Sequence, residues 1–147
     1  EAVMEFEQSS ATVELAAAAV GVIPARIAKT LSFLLKDEHC ALVVAAGDAK
    51  IDNHKFKEYF RCKARMLNGE QVVEFTGHAI GGVCPFAIEN PMVDVYLDES
   101  LKRFETVYPA AGSSSSAVPM TCDLLFACGR AKAWVDVCRV PAEGQEP

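Results

Sequence analysis

The first third of the chain carries three hydrophobic patterns that predict secondary structure. Apolar residues recur at helical spacing over residues 13–20, which predicts a short helix. Residues 30–35 then alternate, and residues 40–46 form an unbroken apolar run. Both patterns are typical of strands, and the charged residues 36–38 predict the turn that joins the two strands.

The rest of the chain predicts short helices and strands in mixed order. Capping residues precede four helical segments: Asn53 before a helix through Phe60, Asn68 with Gln71 before a helix that Gly77 closes, Asp98 before a turn over 99–103, and Thr121 before a helix that Gly129 closes. Strand patterns cover residues 93–97, 106–110, 117–120 and 133–137. These elements show no regular repeat of strand, helix and strand.

Two segments show neither pattern. Residues 78–91 are rich in glycine and proline and long for a connection, and residues 112–116 are a glycine followed by four serines. Long ordered loops are disproportionately functional, so we expect the surrounding scaffold to position both. The polar, proline-flanked residues 141–147 are expected to form a disordered tail.

Length and composition indicate the class of protein. The chain has 147 residues, of which 51% are hydrophobic, which predicts a single domain. Its apolar runs are shorter than a membrane span requires, and its start carries no secretory signal. Six cysteines occur without C-x-x-C spacing, so we expect reduced thiols and a cytoplasmic location. Because the chain opens at Glu1, we expect that it begins inside a longer gene product.

The charge is unevenly distributed along the chain. The net charge of −6 argues against nonspecific binding to a polyanion. Residues 50–65 are nevertheless predominantly basic, with aromatic residues between the charges. Such a segment either contacts a phosphate backbone or forms a helix with a solvated basic face, and its spacing alone favours the helix. The residues that would contact phosphates include Lys50, Lys55, Lys57 and Arg61.

Candidate chemistry is concentrated in one loop. No metal-ligand or nucleotide-binding motif is present and the histidines are scattered, so the sequence predicts neither a metal nor a cofactor. Gly81 and Gly82 let backbone amides approach a ligand closely, and Pro85 fixes the backbone after them. Such amides stabilise the oxygen that gains charge in acyl transfer, although a tight turn explains the same residues.

Three further side chains are candidates for chemistry. His78 and Cys84 are six residues apart, which suggests an imidazole and a thiolate, although a polar loop histidine and an unreactive thiol are the simpler explanation. Lys29 lies where a turn becomes a strand, between the apolar Ile27 and Leu31. Its ammonium is therefore either directed at one place or extended into water.

Short motifs occur in a characteristic order along the chain: Ala28-Lys29-Thr30-Leu31, Ala46-Gly47-Asp48, Thr76-Gly77-His78, Gly81-Gly82-Val83-Cys84-Pro85-Phe86, and the segments 95–101 and 108–113. This ordered set resembles the YbaK/EbsC family of trans-editing aminoacyl-tRNA deacylases, which is related to the editing insertion of bacterial prolyl-tRNA synthetases. The resemblance implies an α/β (α+β-like) fold, with a mixed, largely antiparallel sheet curled toward a barrel and surrounded by helices. It also implies one compact domain over residues 1–140, truncated at its N-terminus.

The resemblance further implies an activity and its partners. The activity is hydrolysis, without metal or cofactor, of the ester that joins a small noncognate amino acid to tRNA. The partners are the acceptor end of aminoacyl-tRNA and an aminoacyl-tRNA synthetase, with no membrane involved. The implied catalytic residues are Lys29, at the terminal phosphate, and Gly81, Gly82 and Pro85 of a G-x-x-x-P loop at the substrate carbonyl. The implied substrate contacts are Thr30, His78, Val83, Cys84, Gly112 and Ser113.

Two departures from the family leave the amino acid open. Some members have a histidine near the position of Gly112, and others have an asparagine at the position of Thr30. Two other functions also stay open. One is a module that binds the tRNA end or the aminoacyl group without turnover, and the other is a thiol hydrolase that uses Cys84 and His78.

Overall fold

The structure is a computed structural model, which describes residues 21, 23–36, 38–76, 90–109 and 119–140. The predicted first helix and the predicted disordered tail lie outside these residues. No helix within the described part of the chain combines the length and apolarity that a membrane crossing requires.

The described residues form strands, α-helices and two 3-10 turns in mixed order. The strands are β1 (Ile27–Leu34), β2 (Cys40–Ala46), β3 (Lys50–Ile51), β4 (Val93–Asp98), β5 (Thr106–Pro109), β6 (Met120–Thr121), β7 (Ala133–Val135) and β8 (Cys138–Arg139). The helices are α1 (Asn53–Phe60), α2 (Gly69–Thr76) and α3 (Cys122–Cys128). The 3-10 turns are Pro24–Arg26 and Glu99–Arg103.

Six of the strands form one sheet in the order β6-β5-β1-β2-β4-β7. β1 and β2 pair antiparallel from Ala28 opposite Ala46 to Leu34 opposite Cys40, which confirms the predicted pair of strands. β5 pairs parallel with β1, β4 with β2, and β7 with β4, whereas β6 is antiparallel to β5. The sheet is mixed and curls into half a barrel, so the predicted fold class is confirmed. Three of the five strand pairings in this sheet are parallel, so the prediction that the sheet is largely antiparallel is wrong.

β2 is the most deeply buried strand of this sheet. Each of its residues is fully buried, and its two edges are paired with β1 and β4. A strand that is covered on both faces needs apolar side chains on both, which explains its unbroken apolar run.

Helix α1 packs on this sheet through a row of aromatic rings. The ring centroid of the fully buried Phe56 lies 4.8 Å from that of Phe33 in β1 and 4.5 Å from that of Phe60. Phe60 in turn lies 5.1 Å from Tyr96 in β4, edge to face. Such ring pairs stabilise a fold by about 0.5–1.5 kcal/mol beyond their buried area. They therefore fix α1 across three neighbouring strands.

β3 and β8 form a separate antiparallel pair, with Lys50 opposite Arg139 and Ile51 opposite Cys138. Neither strand was predicted, because two residues are too few to show an alternating pattern. The strand predicted over residues 133–137 is accordingly shorter, since β7 ends before β8 begins.

Side-chain caps begin the helical segments. The predicted caps Asp98 and Thr121 are confirmed, because each side chain accepts a hydrogen bond from a main-chain amide of the first turn. The prediction that Asn53 caps α1 is wrong. The cap is Asp52, whose carboxylate accepts hydrogen bonds from the amides of the two residues after Asn53. A carboxylate is also favoured there by the helix dipole.

The capping box at the start of α2 is confirmed. Asn68 Oδ1 accepts from the Gln71 amide at 2.8 Å, and Gln71 Oε1 accepts from the Asn68 amide at 3.0 Å. We expect Asn68→Ala to lower the free energy of unfolding by about 1 kcal/mol, because it removes the cap acceptor. Asn53→Ala is the matched control. If urea unfolding showed that both variants lose the same free energy of unfolding, Asn68 would not be the cap of α2.

Five of the cysteines lie in the described residues, and all five are free. Cys40 and Cys138 are buried, whereas Cys128 is exposed. Cys84 lies outside the described residues. Two of the five thus behave as small buried apolar side chains.

Candidate functional site

Lys29 lies near the start of β1, beside both neighbouring strands. It pairs with Ala45 of β2, and the preceding residue Ala28 pairs with Pro109 at the end of β5. Its side chain is half-buried and reaches the turn between β2 and β3. The lysine is thus surrounded by regular structure rather than carried on a loop.

The Lys29 ammonium is held by two main-chain carbonyls of that turn. Nζ donates to the carbonyl oxygen of Gly47 at 3.2 Å and to that of Ala49 at 2.6 Å. An ammonium has three donors, and the described residues provide no acceptor for the third. Lys29 is therefore directed at one place, and within the described residues one of its N–H groups has no acceptor.

A second set of contacts fixes the turn that follows β2. Arg103 and Asp48 form a two-bond ion pair, with Nη2 to Oδ1 at 2.6 Å and Nη1 to Oδ2 at 3.3 Å. The amide of Ala46 donates to Ser100 Oγ at 3.1 Å. Because a bidentate pair restricts geometry, these bonds tie the turn to the 3-10 turn after β4.

Asp98 is the buried acid that organises this region. Its residue surface is 1% exposed. Oδ2 accepts from the Ser100 amide at 2.8 Å, and Oδ1 accepts from the Val137 amide at 2.9 Å. A buried carboxylate needs such donors to offset its lost hydration. Asp98 therefore links the end of β4 to the segment between β7 and β8.

Burial sets the protonation of the groups around Lys29. It lowers the pKa of the Lys29 ammonium, against the opposing charge of the Asp48 carboxylate, and the positive charge of Lys50 lowers it further. Burial also raises the pKa of the Cys138 thiol, and the neighbouring Asp98 carboxylate raises it further. Cys138 is therefore a neutral thiol at neutral pH and a poor nucleophile.

Thr30 was predicted to contact the same substrate as Lys29. Consecutive side chains of a strand point to opposite faces of the sheet, so the Thr30 side chain lies on the other face of β1. The structure therefore does not bring the two side chains together. A contact between Thr30 and substrate stays a prediction.

The predicted phosphate-contacting residues lie in different surroundings. Lys57 is exposed on α1, and Arg61 is exposed at the C-terminal cap of that helix. Lys55 instead binds Asp136 at 3.1 Å and a main-chain carbonyl of β8 at 3.2 Å. Lys50 is exposed in β3, and its positive charge adds to the effect of burial in lowering the pKa of Lys29.

The other predicted site residues lie outside the described residues. They are Gly81, Gly82, Val83, Cys84 and Pro85 of the glycine loop, together with His78, Gly112 and Ser113. Their roles stay predictions. The described elements that precede these two segments in the chain are α2, which ends at Thr76, and β5, which ends at Pro109.

Sequence reasoning missed the residues that position Lys29. They are Asp48, Asp98, Ser100 and Arg103. The first three belong to the ordered short motifs, but motif order along a chain does not show which motifs touch. Within the described ranges, no group of three or more His, Cys, Asp or Glu side chains is placed to hold a metal ion.

Comparison with known proteins gives concordant matches. The chain matches the aminoacyl-tRNA editing domain family over residues 7–127, which includes Lys29 and the turn that holds it. It is also 55% identical over 137 residues to the uncharacterized protein YwhH of Bacillus subtilis (strain 168). That similarity covers 93% of this chain and 87% of YwhH.

Solved structures share the fold. One is described as a proposed trans-editing enzyme for prolyl tRNA synthetase; it has a TM-score of 0.76 and 31% identity, and the match covers 84% of this chain and 77% of that one. Another comes from work on grafting epitope backbones onto scaffold proteins. It has a TM-score of 0.79 and 27% identity, and the match covers 88% of this chain and 81% of that one.

Proposed function

The chain belongs to the aminoacyl-tRNA editing domain family, and from this we propose that it hydrolyses the ester of a tRNA charged with a small noncognate amino acid. We propose further that the reaction uses no metal or cofactor, and that the protein acts in the cytoplasm. An aminoacyl-tRNA synthetase is the second proposed partner. The solved relative described as a proposed trans-editing enzyme supports a role in aminoacyl-tRNA editing.

The observation that carries the proposal is the fixed ammonium of Lys29. Two carbonyls hold it in place, and no other acceptor among the described residues takes its third N–H, which we propose donates to a ligand oxygen. Contacts to phosphate oxygens position a nucleic acid without reading its bases. Lys29 is therefore suited to hold the terminal phosphate of the tRNA, which places the adjoining ester at a defined distance.

The chemistry needs little besides placement, because an amino-acid ester is already a reactive acyl group. Water attacks the carbonyl carbon, and the carbonyl oxygen gains negative charge in the tetrahedral intermediate. The bond to the ribose oxygen then breaks, that oxygen takes up a proton, and the free amino acid and uncharged tRNA leave. We assign the stabilising amides to residues 81–84, ahead of Pro85, and the orientation of water to main-chain groups and a substrate hydroxyl. Loss of one such donor typically costs about a hundred- to a thousandfold in rate.

The test is deacylation of tRNAs charged with labelled noncognate alanine, serine, threonine or cysteine. We expect at least one to lose its amino acid faster with the protein than in buffer. Cys84→Ser should retain this activity, because water and not the thiol is the proposed nucleophile. Buffer-level hydrolysis of every tRNA would remove the enzyme claim, and salt-sensitive RNA affinity in that case would indicate a binding module.

Binding of the tRNA end should weaken on the alkaline side, at a lower pH than an ordinary lysine would give. The charged form of Lys29 binds phosphate, and it is present below the lowered pKa and lost as pH rises through it. Fluorescence anisotropy with an uncharged RNA end measures this loss without ester hydrolysis. Lys29→Arg should remove the alkaline loss, because a guanidinium stays charged. The same midpoint in both proteins would show that another group titrates.

A further inference from the structure

Two exposed cations face each other across the small sheet of β3 and β8. Lys50 lies directly opposite Arg139, and both residues are exposed. Directly opposite side chains of an antiparallel pair lie on one face, with Cβ atoms about 4.5–5.5 Å apart. Like charges at such positions destabilise a sheet. The pair is therefore not explained by the stability of the fold.

Acidic residues of this region are already engaged elsewhere. They are Asp48 with Arg103, Asp136 with Lys55, and Asp52 with the first amides of α1. The charge of Arg139 reaches the Asp52 carboxylate, but within the described part of the chain neither Lys50 nor Arg139 forms an ion pair. As far as the described residues show, the two cations thus keep their donors available to an anion.

The pair also lies beside the Lys29 site. β3 begins at the residue after Ala49, whose carbonyl oxygen binds the Lys29 ammonium. Burial lowers the pKa of that ammonium, and the positive charge of Lys50 lowers it further, which shows that the two side chains are close enough to interact. A strand of RNA whose end is bound at Lys29 therefore has the two exposed cations next to it.

We propose that Lys50 and Arg139 together bind a backbone phosphate of the RNA strand that leads to the Lys29 site. This inference rests on the proposed function, because it takes the tRNA end as the ligand of Lys29. A phosphate between the two side chains replaces their mutual repulsion with charge-assisted hydrogen bonds, and the planar guanidinium of Arg139 matches two phosphate oxygens. Arg139 lies beyond residues 7–127, so the family match does not point to it.

The experiment measures binding of a short, fluorescently labelled single-stranded RNA that ends in adenosine and carries no amino acid. The proteins compared are the natural chain, Lys50→Ala, Arg139→Ala, the double variant and Lys36→Ala. Lys36 is exposed in the turn between β1 and β2, so its substitution removes the same charge away from the pair. We expect each single variant to weaken binding about fivefold and the control to leave it unchanged.

The salt dependence separates direct phosphate binding from a general effect of charge. The slope of log affinity against log salt should fall by about 0.7 for each phosphate that the protein no longer neutralises, and therefore by about 0.7 in the double variant, because the two cations share one phosphate. Thermal unfolding at low salt should show that the double variant is as stable as the natural chain or more so, since it removes a repulsive pair. Equal affinity and equal slope in the double variant and the natural chain would overturn the proposal.

Parallel deacylation assays keep this inference distinct from the proposed function. If the natural chain hydrolyses charged tRNA and the double variant binds RNA unchanged, the phosphate site is wrong and the enzyme stands. If the natural chain hydrolyses nothing and the double variant loses RNA affinity and slope, the phosphate site stands without the enzyme.

Discussion

Lys29→Ala should lower kcat/KM for the deacylation of charged tRNA by about a hundredfold, because a terminal phosphate that is no longer held leaves the ester misplaced. The effect is large because two carbonyls fix the ammonium, so no neighbouring lysine can take its position. Measurement under single-turnover conditions keeps product release out of the rate. Equal rates for the variant and the natural chain would remove Lys29 from the mechanism.

This variant also perturbs the fold, so it needs a companion. Without Lys29 the carbonyl of the buried Ala49 loses a donor, which costs about 1–3 kcal/mol. Lys29→Gln removes the charge but retains N–H donors, and it should be as inactive as the alanine variant while less destabilised. Lys36→Ala, at the far end of β1, should retain full activity. A fully active Lys29→Gln would show that the positive charge is not needed.

Asp98→Ala should lower the free energy of unfolding by about 3 kcal/mol. The substitution removes the carboxylate that accepts a buried hydrogen bond from the Val137 amide and a partly buried one from the Ser100 amide, so both donors lose this acceptor. Urea unfolding measures the loss. The same substitution frees the 3-10 turn Glu99–Arg103, which holds the turn whose carbonyls bind Lys29. The rate of deacylation should therefore fall as well.

A matched control lies on the same strand. Asp94 is an aspartate of β4 whose side chain is 29% exposed and 3.5 Å from Lys132, so Asp94→Ala should cost less than about 1 kcal/mol. Asp98→Asn, which keeps one acceptor oxygen, should fall between the two alanine variants. Equal losses from Asp94→Ala and Asp98→Ala would show that the two amides near Asp98 find other acceptors.

Local patterns were sufficient to predict the hairpin and three of the four helix caps. The hairpin of β1 and β2 was visible because its two strands are adjacent in the chain and one of them is apolar throughout. The caps Asn68, Asp98 and Thr121 were visible because a cap acts on amides only a few residues away. The error at Asn53 arose because Asp52 and Asn53 are both good caps, and only backbone conformation decides between adjacent candidates.

Contacts between distant segments could not be predicted in the same way. β3 and β8 are too short to show a pattern, and their pairing joins residues that are far apart in the chain. The acceptors of Lys29 are main-chain carbonyls, which every residue carries, so no residue type marks them. Resemblance to the family indicated Lys29, whereas the turn, the ion pair of Asp48 and the buried Asp98 became visible as its support only in three dimensions.

The unbroken apolar run of β2 affects how the chain folds. Its hairpin partner β1 is close in sequence, whereas its other partner β4 follows only after two helices, so one edge of β2 stays open during early folding. An open edge on a continuous apolar strand is a template for pairing between molecules. The charged residues Lys36, Glu38, Asp48 and Lys50 flank it and act as gatekeepers. Because these charges lie only beyond the ends of the strand, its apolar centre stays open, and we expect refolding yield to fall as protein concentration rises, with intermolecular aggregates that begin at this edge.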